Sequence, residues 1–374
     1  MLVGEEAWLP YQRPPLSKKY LAGELAAERL YFKPADFYAA PDIDVRLQTR
    51  ITAVDRERHC VTTACGERIA YDTLVLATGS RPRHIQVPGS DKRGLHYLRG
   101  IDDVTRIRAD LVSARNVVII GGGYIGLEVA AVIRQLGHDV SVIEMAERLM
   151  CRVVSPLVSE FFRAEHAAHG VHLLLSTELE AFEGVGKINA VRTNRGTSIA
   201  ADLVIAGIGI VPNTELAAAA GLEVDNGIVV DARCRTADPD IYAVGDCTSH
   251  PNGIYGRRIR LESVHNALEQ AQTAAANICG EAAEYTQVPW FWSDQYDLKL
   301  QIAGLSEGYD EVVIRGARAT RSFSCLYLRD GVLIACDAIN APRDFVQSKA
   351  LIAARPRIAP DRLADTGVQL KELA

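Results

Sequence analysis

No stretch of the sequence reaches the ~18 uninterrupted apolar residues of a membrane-spanning helix. The opening residues 1–6 also lack the basic start and apolar centre of a secretory leader. A cytoplasmic location, away from any membrane, is therefore the expectation. The 8 cysteines are scattered without one C-x-x-C pair, so they signal neither a disulfide framework nor a zinc site, and no metal is expected. Basic charge is not in excess: 41 Lys and Arg against 47 Asp and Glu leave a net charge of -6. That balance argues against nucleic-acid binding, and it leaves room for a local basic patch that docks an acidic partner. Tryptophan is scarce, yet two of the 3 residues, Trp290 and Trp292, fall within one short segment. Histidine stops at His265. A chain of 374 residues, 48% hydrophobic, can still form two or three domains with their own cores.

The stretch around which the chain is organised runs from Asn116 to Glu144. A β-branched run, 116–120, leads into Gly121, Gly123 and Gly126 at G-x-G-x-x-G spacing, and then into a helical pattern. The glycines have separate tasks: a tight turn at Gly121, close approach of a pyrophosphate at Gly123, and close helix packing at Gly126. Ile125, Val129, Val132, Ile133 and Leu136 recur at helical spacing and predict one buried face. Gly137 ends that helix, and a second strand, 139–143, delivers Glu144, placed to take both ribose hydroxyls of NAD. A carboxylate ~4 Å from a phosphate, at an effective dielectric of about 20, meets roughly 4 kcal/mol of repulsion. NADH should therefore outcompete NADPH. Arg148 is placed to blunt that preference, or else to pair with Glu144 or Glu147.

Elsewhere, residues 2–6 read as a strand end closing on an acid. Pro14 and Pro15 stiffen a segment that holds Arg13 and Lys18 in fixed directions, although composition alone favours an ordinary proline-rich loop. Residues 44–71 read as a small antiparallel insertion, and 73–79 as an apolar parallel strand ended by glycine. Ser155, Pro156 and Gly170 bracket a helix. His166, His169 and His172 cluster near its end, with Gly170 breaking the face that a metal site would need. Residues 201–208 form another apolar strand before Gly209, and 240–244 a buried strand that delivers Asp246 at its carboxyl end. In the helix predicted over 263–279, Val264, Ala267, Leu268, Ala271, Ala275 and Ile278 share the side expected to be buried, with a partial positive charge at the N-terminus.

Taken in order, the glycine loop with Glu144, the segments 13–18 and 77–79, the strand 240–246 and the aromatic segment 289–295 make the chain resemble the FAD-dependent ferredoxin reductases of the putidaredoxin, rhodocoxin and dioxygenase reductase type. The resemblance spans essentially the whole chain. It implies an α/β fold of two doubly wound dinucleotide-binding domains, the FAD domain (1–107 and 236–286) split by an inserted NAD domain (108–235). A small C-terminal α+β domain (287–374) completes it. It further implies FAD and NADH as cofactors, and a two-iron ferredoxin or rubredoxin-like acceptor feeding a monooxygenase or dioxygenase. Residue by residue, Glu5 would hold the FAD ribose, Arg13 and Lys18 would lie on the cofactor, and Asp246 would bind the ribityl chain. Ala77, Thr78, Gly79, Arg81, Gly245 and Val264 would complete the FAD contacts. Gly121, Gly123, Tyr124, Ile125, Gly126 and Glu144 would hold NADH, and Arg152 and Gly209 would make further cofactor contacts. Lys18, Glu128 near the nicotinamide and Trp292 over the flavin would be the catalytic set. Arg315, Arg318 and Arg321 are candidates for basic docking groups, against the plainer reading of a solvated surface run.

One departure bears on these expectations. The family opens with its own strand, glycine loop and helix for the FAD pyrophosphate, and roughly 30 residues of that βαβ unit have no counterpart here. A misplaced start or a fragment is expected, with a natural variant that binds FAD weakly as the alternative. A flavin-poor NADH-binding or interaction protein without turnover is the second functional reading. A flavin disulfide reductase is the third, on the C-x4-C spacing of Cys60 and Cys65, but it lacks a C-terminal histidine as acid-base.

Overall fold

The structure is a computed structural model that describes residues 1–373. The chain forms two compact units: Met1–Gln12, Glu28–Arg81 and Val211–Pro289 make the first, and Arg13–Ala27, Pro82–Ile210 and the residues from Trp290 onward make the second.

In the first unit the apolar strand Leu74–Leu76 pairs in parallel with Ile241–Ala243, and their carboxyl ends present residues 77–79 beside Gly245 and Asp246. Leu76, Ile228, Val230, Ile241, Ala243 and Cys247 form the core beneath them. A second parallel pair joins Leu2–Val3 to Val45–Arg46; among the described residues the two pairs remain separate ladders. Ile51–Asp55, Cys60–Thr63 and Arg68–Ala70 form the expected antiparallel meander, with residues 45–46 belonging to the parallel pair instead.

The helix Val264–Ile278 begins as expected, its Ser263 side chain accepting from the Asn266 amide at 3.1 Å. Its buried face is the opposite of the expected one. Asn266, Gln270, Thr273 and Ala274 point inward, while Leu268, Ala271, Ala275 and Ile278 are exposed. The reason is local. Gln270 Oε1 accepts from the Gly245 amide at 2.7 Å and from Thr248 Oγ1 at 2.9 Å, so the helix docks by satisfying a turn that carries Asp246.

The second unit holds a five-stranded parallel sheet in the order His172–Leu174, Asp139–Ile143, Asn116–Ile120, Leu203–Ala206, Leu95–Tyr97. Val117 to Ile120 and Leu203 to Ala206 are buried, as a sheet covered on both faces requires. The helix Tyr124–Gln135 follows the central strand and packs on the strand after it. Gly126, Leu127, Glu128, Val129, Ala130, Ala131 and Ile133 are buried there, but Ile125 and Leu136, expected on the buried face, are exposed. The helix is covered on more than one side because it also packs on the strand Trp290–Gln295. That strand is the edge of a five-stranded antiparallel sheet, continued by Leu298–Gly304, Val332–Ile339, Ser322–Arg329 and Glu311–Ala317, with the helix Pro342–Ala354 packed on it. Ser155 and Pro156 open the helix Pro156–Ala168 as expected, but the Ser155 hydroxyl accepts from Tyr327 at 3.1 Å and makes no cap bond.

Two buried histidines set an acid limit on stability. Burial pushes His166 and His250 down to about 4, whereas in the unfolded chain both titrate near the ordinary 6.5. As pH falls from 6.5 toward 4, the unfolded state binds protons that the folded state refuses, so folded stability falls. The effect reaches up to about 3 kcal/mol per histidine. Asp337, pushed up to about 7 by burial, acts in the opposite sense, stabilising in acid and losing that contribution as pH rises through about 7. Two histidines outweigh one carboxyl in the window from 6.5 to 4. Denaturant midpoints should therefore decrease across it, and His250→Phe should make the decrease shallower. A midpoint in that variant with unchanged pH dependence would exclude this origin.

Candidate functional site

The topological switch point of the parallel sheet lies between Asn116–Ile120 and Leu203–Ala206, where ligands of doubly wound sheets bind. The glycine loop leaves the first of these strands. Gly121 has φ +106, and a Cβ on it would lie 2.4 Å from the Gly207 carbonyl oxygen. A Cβ on Gly126 would lie 2.1 Å from the Gly121 carbonyl oxygen, so the helix can start only if this residue has no side chain. A Cβ on Gly123 would meet nothing within 4 Å. The first two glycines let backbone meet backbone, and the third keeps a space open above the helix N-terminus, where a pyrophosphate would gain from the helix dipole.

Glu144 stands at the end of the next strand and is tied to the loop. Its Oε2 accepts from the Gly122 amide at 2.6 Å and its Oε1 from the Ala146 amide at 2.8 Å. Each oxygen keeps a lone pair for a further donor. Arg148 pairs with neither Glu144 nor Glu147. Its guanidinium donates to the carbonyls of Val154 (2.8 Å) and Cys151 (2.6 Å) and to Ser159, shaping the turn that follows. It is therefore not positioned to offset the charge of Glu144. Arg152 is exposed next to Gly209, 3.8 Å from where a Cβ would stand. Tyr124, the first residue of the helix, lies 4.8 Å from the Phe291 ring, and Ile125 is exposed beside it.

The second cluster of the unit is built on Glu128. This carboxylate is 1% exposed. Its Oε2 accepts from Lys18 Nζ at 2.6 Å and from Ser17 Oγ at 2.5 Å, and its Oε1 accepts from Ser293 Oγ at 2.7 Å. Lys18 is delivered by the turn Pro14–Ser17, and Arg13 at its start donates to the Arg99 carbonyl at 2.7 Å. Trp292 shares a strand with Ser293 but points to the other face. It is half-buried, 5.5 Å from Trp290, whose ring meets Phe345 edge-on at 5.6 Å.

In the first unit, Asp246 accepts from Ser80 Oγ at 2.9 Å, and Gly79 and Gly245 take φ +61 and +83. Thr78 exchanges hydrogen bonds with Asn213 at 2.6 and 2.8 Å, which locks the end of the strand, and Ala77 beside it is exposed. Arg81 is paired with Glu215 at 2.7 Å, and Glu5 is an exposed acid 3.2 Å from Arg50. Val264 is the first residue of the helix capped by Ser263.

Two of the three basic docking candidates have structural partners. Arg315 is buried, paired with Asp344 at 3.1 Å and donating to the carbonyls of Leu363, Asp365 and Val368, so it holds the last segment of the chain in place. Arg321 bridges Glu165 and Asp297. Arg318 alone of the three is exposed. The residues that sequence reasoning missed are Ser17 and Ser293. They reach Glu128 across sequence separations of 111 and 165 residues, which no local pattern reveals. The one available signal was an acid within the apolar run of the helix.

A switch-point glycine loop, an acid tethered on it and a buried carboxylate paired with a lysine define a nucleotide-dependent oxidoreductase frame. Residues 1–274 match the family described as pyridine nucleotide-disulphide oxidoreductase, and residues 290–374 match the one described as reductase C-terminal. The chain belongs to the pyridine nucleotide-disulphide oxidoreductase family, in the group that carries this C-terminal domain. It is 46% identical to the 5,5'-dehydrodivanillate O-demethylase ferredoxin reductase subunit of Sphingobium sp., covering 100% of this chain and 91% of the relative. It is 45% identical to putidaredoxin reductase of Pseudomonas putida, covering 100% and 90%. The crystal structure of the covalent putidaredoxin reductase–putidaredoxin complex superposes with a TM-score of 0.96 at 45% identity, covering 100% of this chain and 91% of that one.

The glycine geometry separates binding from folding. Gly123→Val fills open space and should leave the thermal midpoint within a degree or two, while abolishing the fluorescence change on NADH titration. Gly126→Ala forces a contact at 2.1 Å against backbone and should cost about 1 to 3 kcal/mol of stability, read as a lower midpoint. Equal loss of stability in the two variants would contradict this division.

Proposed function

We propose that the protein passes electrons from NADH through FAD to a small iron–sulfur carrier, a two-iron ferredoxin or a rubredoxin-like protein, that feeds a monooxygenase or dioxygenase. The observation that carries the reading is the pairing of partly buried Lys18 with buried Glu128, with no dithiol available to receive the electrons. All 8 cysteines are free, and Cys60 and Cys65 lie in and beside the antiparallel meander. The two named relatives are a ferredoxin reductase subunit and a putidaredoxin reductase, and the similarity runs the full length of this chain. A cytoplasmic setting fits, since no described helix is long and apolar enough to cross a membrane.

The donor sets suit NADH and the ribityl chain and ribose of FAD. For NADH, Gly121, Gly123, Tyr124, Ile125 and Gly126 leave room for the pyrophosphate, Glu144 keeps free lone pairs for ribose hydroxyls, and Arg152 and Gly209 complete the set. For FAD, Asp246 supplies an acceptor for the ribityl chain, with Ala77, Thr78, Gly79, Arg81, Gly245, Val264 and Glu5 of the same unit around the remaining groups. Bound FAD supplies the redox chemistry, taking a two-electron hydride and giving single electrons. The side chains position and polarise. Lys18 brings positive charge to where negative charge develops. Glu128 has three of about four lone-pair positions filled and keeps one for a carboxamide N–H. Trp292 serves as the aromatic near the exit for electrons.

The purified protein tests this directly. A flavin absorbance spectrum near stoichiometry, bleached by NADH, separates an enzyme from a binding scaffold. Stopped-flow bleaching should be much faster with NADH than with NADPH, because the tethered Glu144 carboxylate opposes a 2′-phosphate. Glu144→Ala should narrow that ratio while weakening both nucleotides, since it also releases the Gly122 and Ala146 amides. Equal rates for the two nucleotides in the wild type would refute the charge argument.

Transient docking favours a small charged patch around a partly exposed aromatic, as half-buried Trp292 is. Trp292→Ala should leave bleaching by NADH within about twofold and slow ferredoxin reduction by roughly tenfold or more, on the scale of a lost aromatic anchor. Added salt should depress ferredoxin turnover more than turnover of a small neutral acceptor. Wild-type ferredoxin kinetics in the variant, insensitive to salt, would place the exit elsewhere.

A further inference from the structure

The contacts of Glu128 continue beyond Ser293 into groups that the proposed reaction does not use. Gln295 Nε2 lies 3.1 Å from Ser293 Oγ, Gln295 Oε1 lies 2.8 Å from His166 Nε2, and His166 Nδ1 lies 3.3 Å from the Tyr296 hydroxyl. Ser293, Gln295 and His166 are each no more than 1% exposed. The far end is steadied by His169, whose ring stacks on Tyr296 at 3.7 Å and 12°.

Charge at one end fixes every proton in this chain. A carboxylate can only accept, so the single Ser293 proton is committed to Glu128 Oε1. Ser293 Oγ must then accept from Gln295, which sets the amide with its nitrogen toward Ser293 and its oxygen toward His166. That oxygen needs a donor, so His166 carries its proton on Nε2. Burial pushes the imidazole down to about 4, so at neutral pH it has one proton and Nδ1 is a bare acceptor. Burial also pushes the Tyr296 hydroxyl up, so it stays protonated and donates to Nδ1. Glu165 on the same helix, His169 at its C-cap, Arg321 bound to Glu165 and Asp297, and Arg134 beside Tyr296 are the charged or titratable groups around this end. Each hydrogen bond in the sequence points the same way, the arrangement in which successive bonds polarise and strengthen one another.

We propose that Tyr296, His166, Gln295 and Ser293 form a one-directional hydrogen-bond chain that orients Glu128, making His166 and Gln295 positioning residues for hydride transfer although neither touches a substrate. The inference rests on the reading of Glu128 as the nicotinamide-facing acid. A carboxylate held on one oxygen by Lys18 and Ser17 and on the other by a committed Ser293 cannot rotate about its last bond. Without the chain, the Ser293 hydroxyl is free to turn away and Glu128 Oε1 loses its fixed direction. Nucleotide affinity comes mainly from the glycine loop and Glu144, so the loss should appear in the rate of transfer and leave binding largely intact.

The first test is independent of turnover. Imidazole nitrogen NMR of histidine-labelled protein should find His166 neutral at pH 7 with its proton on Nε2, and a proton on Nδ1 would overturn the chain. The second is kinetic. His166→Leu should lower the rate of flavin bleaching at saturating NADH by roughly tenfold with the dissociation constant changed less than twofold. His166→Gln, which can donate to Gln295 and accept from Tyr296, should restore most of the rate. Ser293→Ala, a minimal change in volume, should reproduce the loss if the leucine variant folds poorly. Wild-type rates in folded His166→Leu or Ser293→Ala would overturn the proposal even with the expected tautomer. Failure of the wild type itself to be bleached by NADH would overturn the reading of the site, and this inference with it.

Discussion

A carboxylate removed from water inside a helix is the constraint on which the second unit depends. Desolvating such a charge costs several kcal/mol, and leaving it unpaired would cost about 3 to 5 kcal/mol. Glu128 avoids that cost only because the turn Pro14–Ser17 brings Ser17 and Lys18 to one oxygen and the strand Trp290–Gln295 brings Ser293 to the other. These segments are far apart in sequence, and the charge gives each a reason to be where it is. It also accounts for the presence of residues 13–27 in the unit that carries the parallel sheet and the C-terminal sheet. The two prolines hold the turn that Lys18 leaves, so less side-chain freedom is lost when the ion pair forms.

Glu144 is handled differently, and the difference suits its proposed task. Its partners are two backbone amides of the loop it serves, not a cation. The negative charge is therefore held in place without being neutralised and remains available to discriminate against a phosphate. Arg148, the nearby cation that could have cancelled it, is committed to carbonyls of the following turn. Two acids on neighbouring elements thus play opposite parts: Glu128 is paired with a cation, while Glu144 is held by backbone amides and, among the described residues, by no cation.

How much of this could be read beforehand follows from the range of each interaction. The glycine loop, its strands and Glu144 were legible because turn chemistry and strand periodicity are local, and the glycine contacts at Gly121 and Gly126 bear out the roles assigned to them. The helix Val264–Ile278 was legible in extent but not in facing. Its hydrophobic side reads as the buried one, yet Gln270 and Asn266 face inward because the Gly245 turn presents polar groups that must be satisfied. Ile125 and Leu136 were misplaced for a related reason, since a helix covered by two different layers has no single apolar stripe. Arg315 looked like surface charge, and only the fold reveals the carbonyls that bury it. His166 stands out only as one of three clustered histidines, and its contact with Gln295, like those of Ser17 and Ser293 with Glu128, has no local signal because the partners lie more than a hundred residues apart.

Both units organise a functional edge around a buried polar side chain, but the side chains differ in kind. In the first, a neutral amide, Gln270, accepts from Gly245, Thr248 and Asn266. In the second, a charged Glu128 accepts from Lys18, Ser17 and Ser293. A neutral acceptor loses about 1 kcal/mol of net stability per hydrogen bond removed, so its surroundings can vary without much consequence elsewhere. A buried charge leaves no such latitude, because removing any donor exposes the remaining ones to a field they were arranged to share. The turn that carries Asp246 can therefore rest on a replaceable support. The acid proposed to face the nicotinamide requires all of its donors at once, which is why the hydrogen bonds around it extend inward as far as His166.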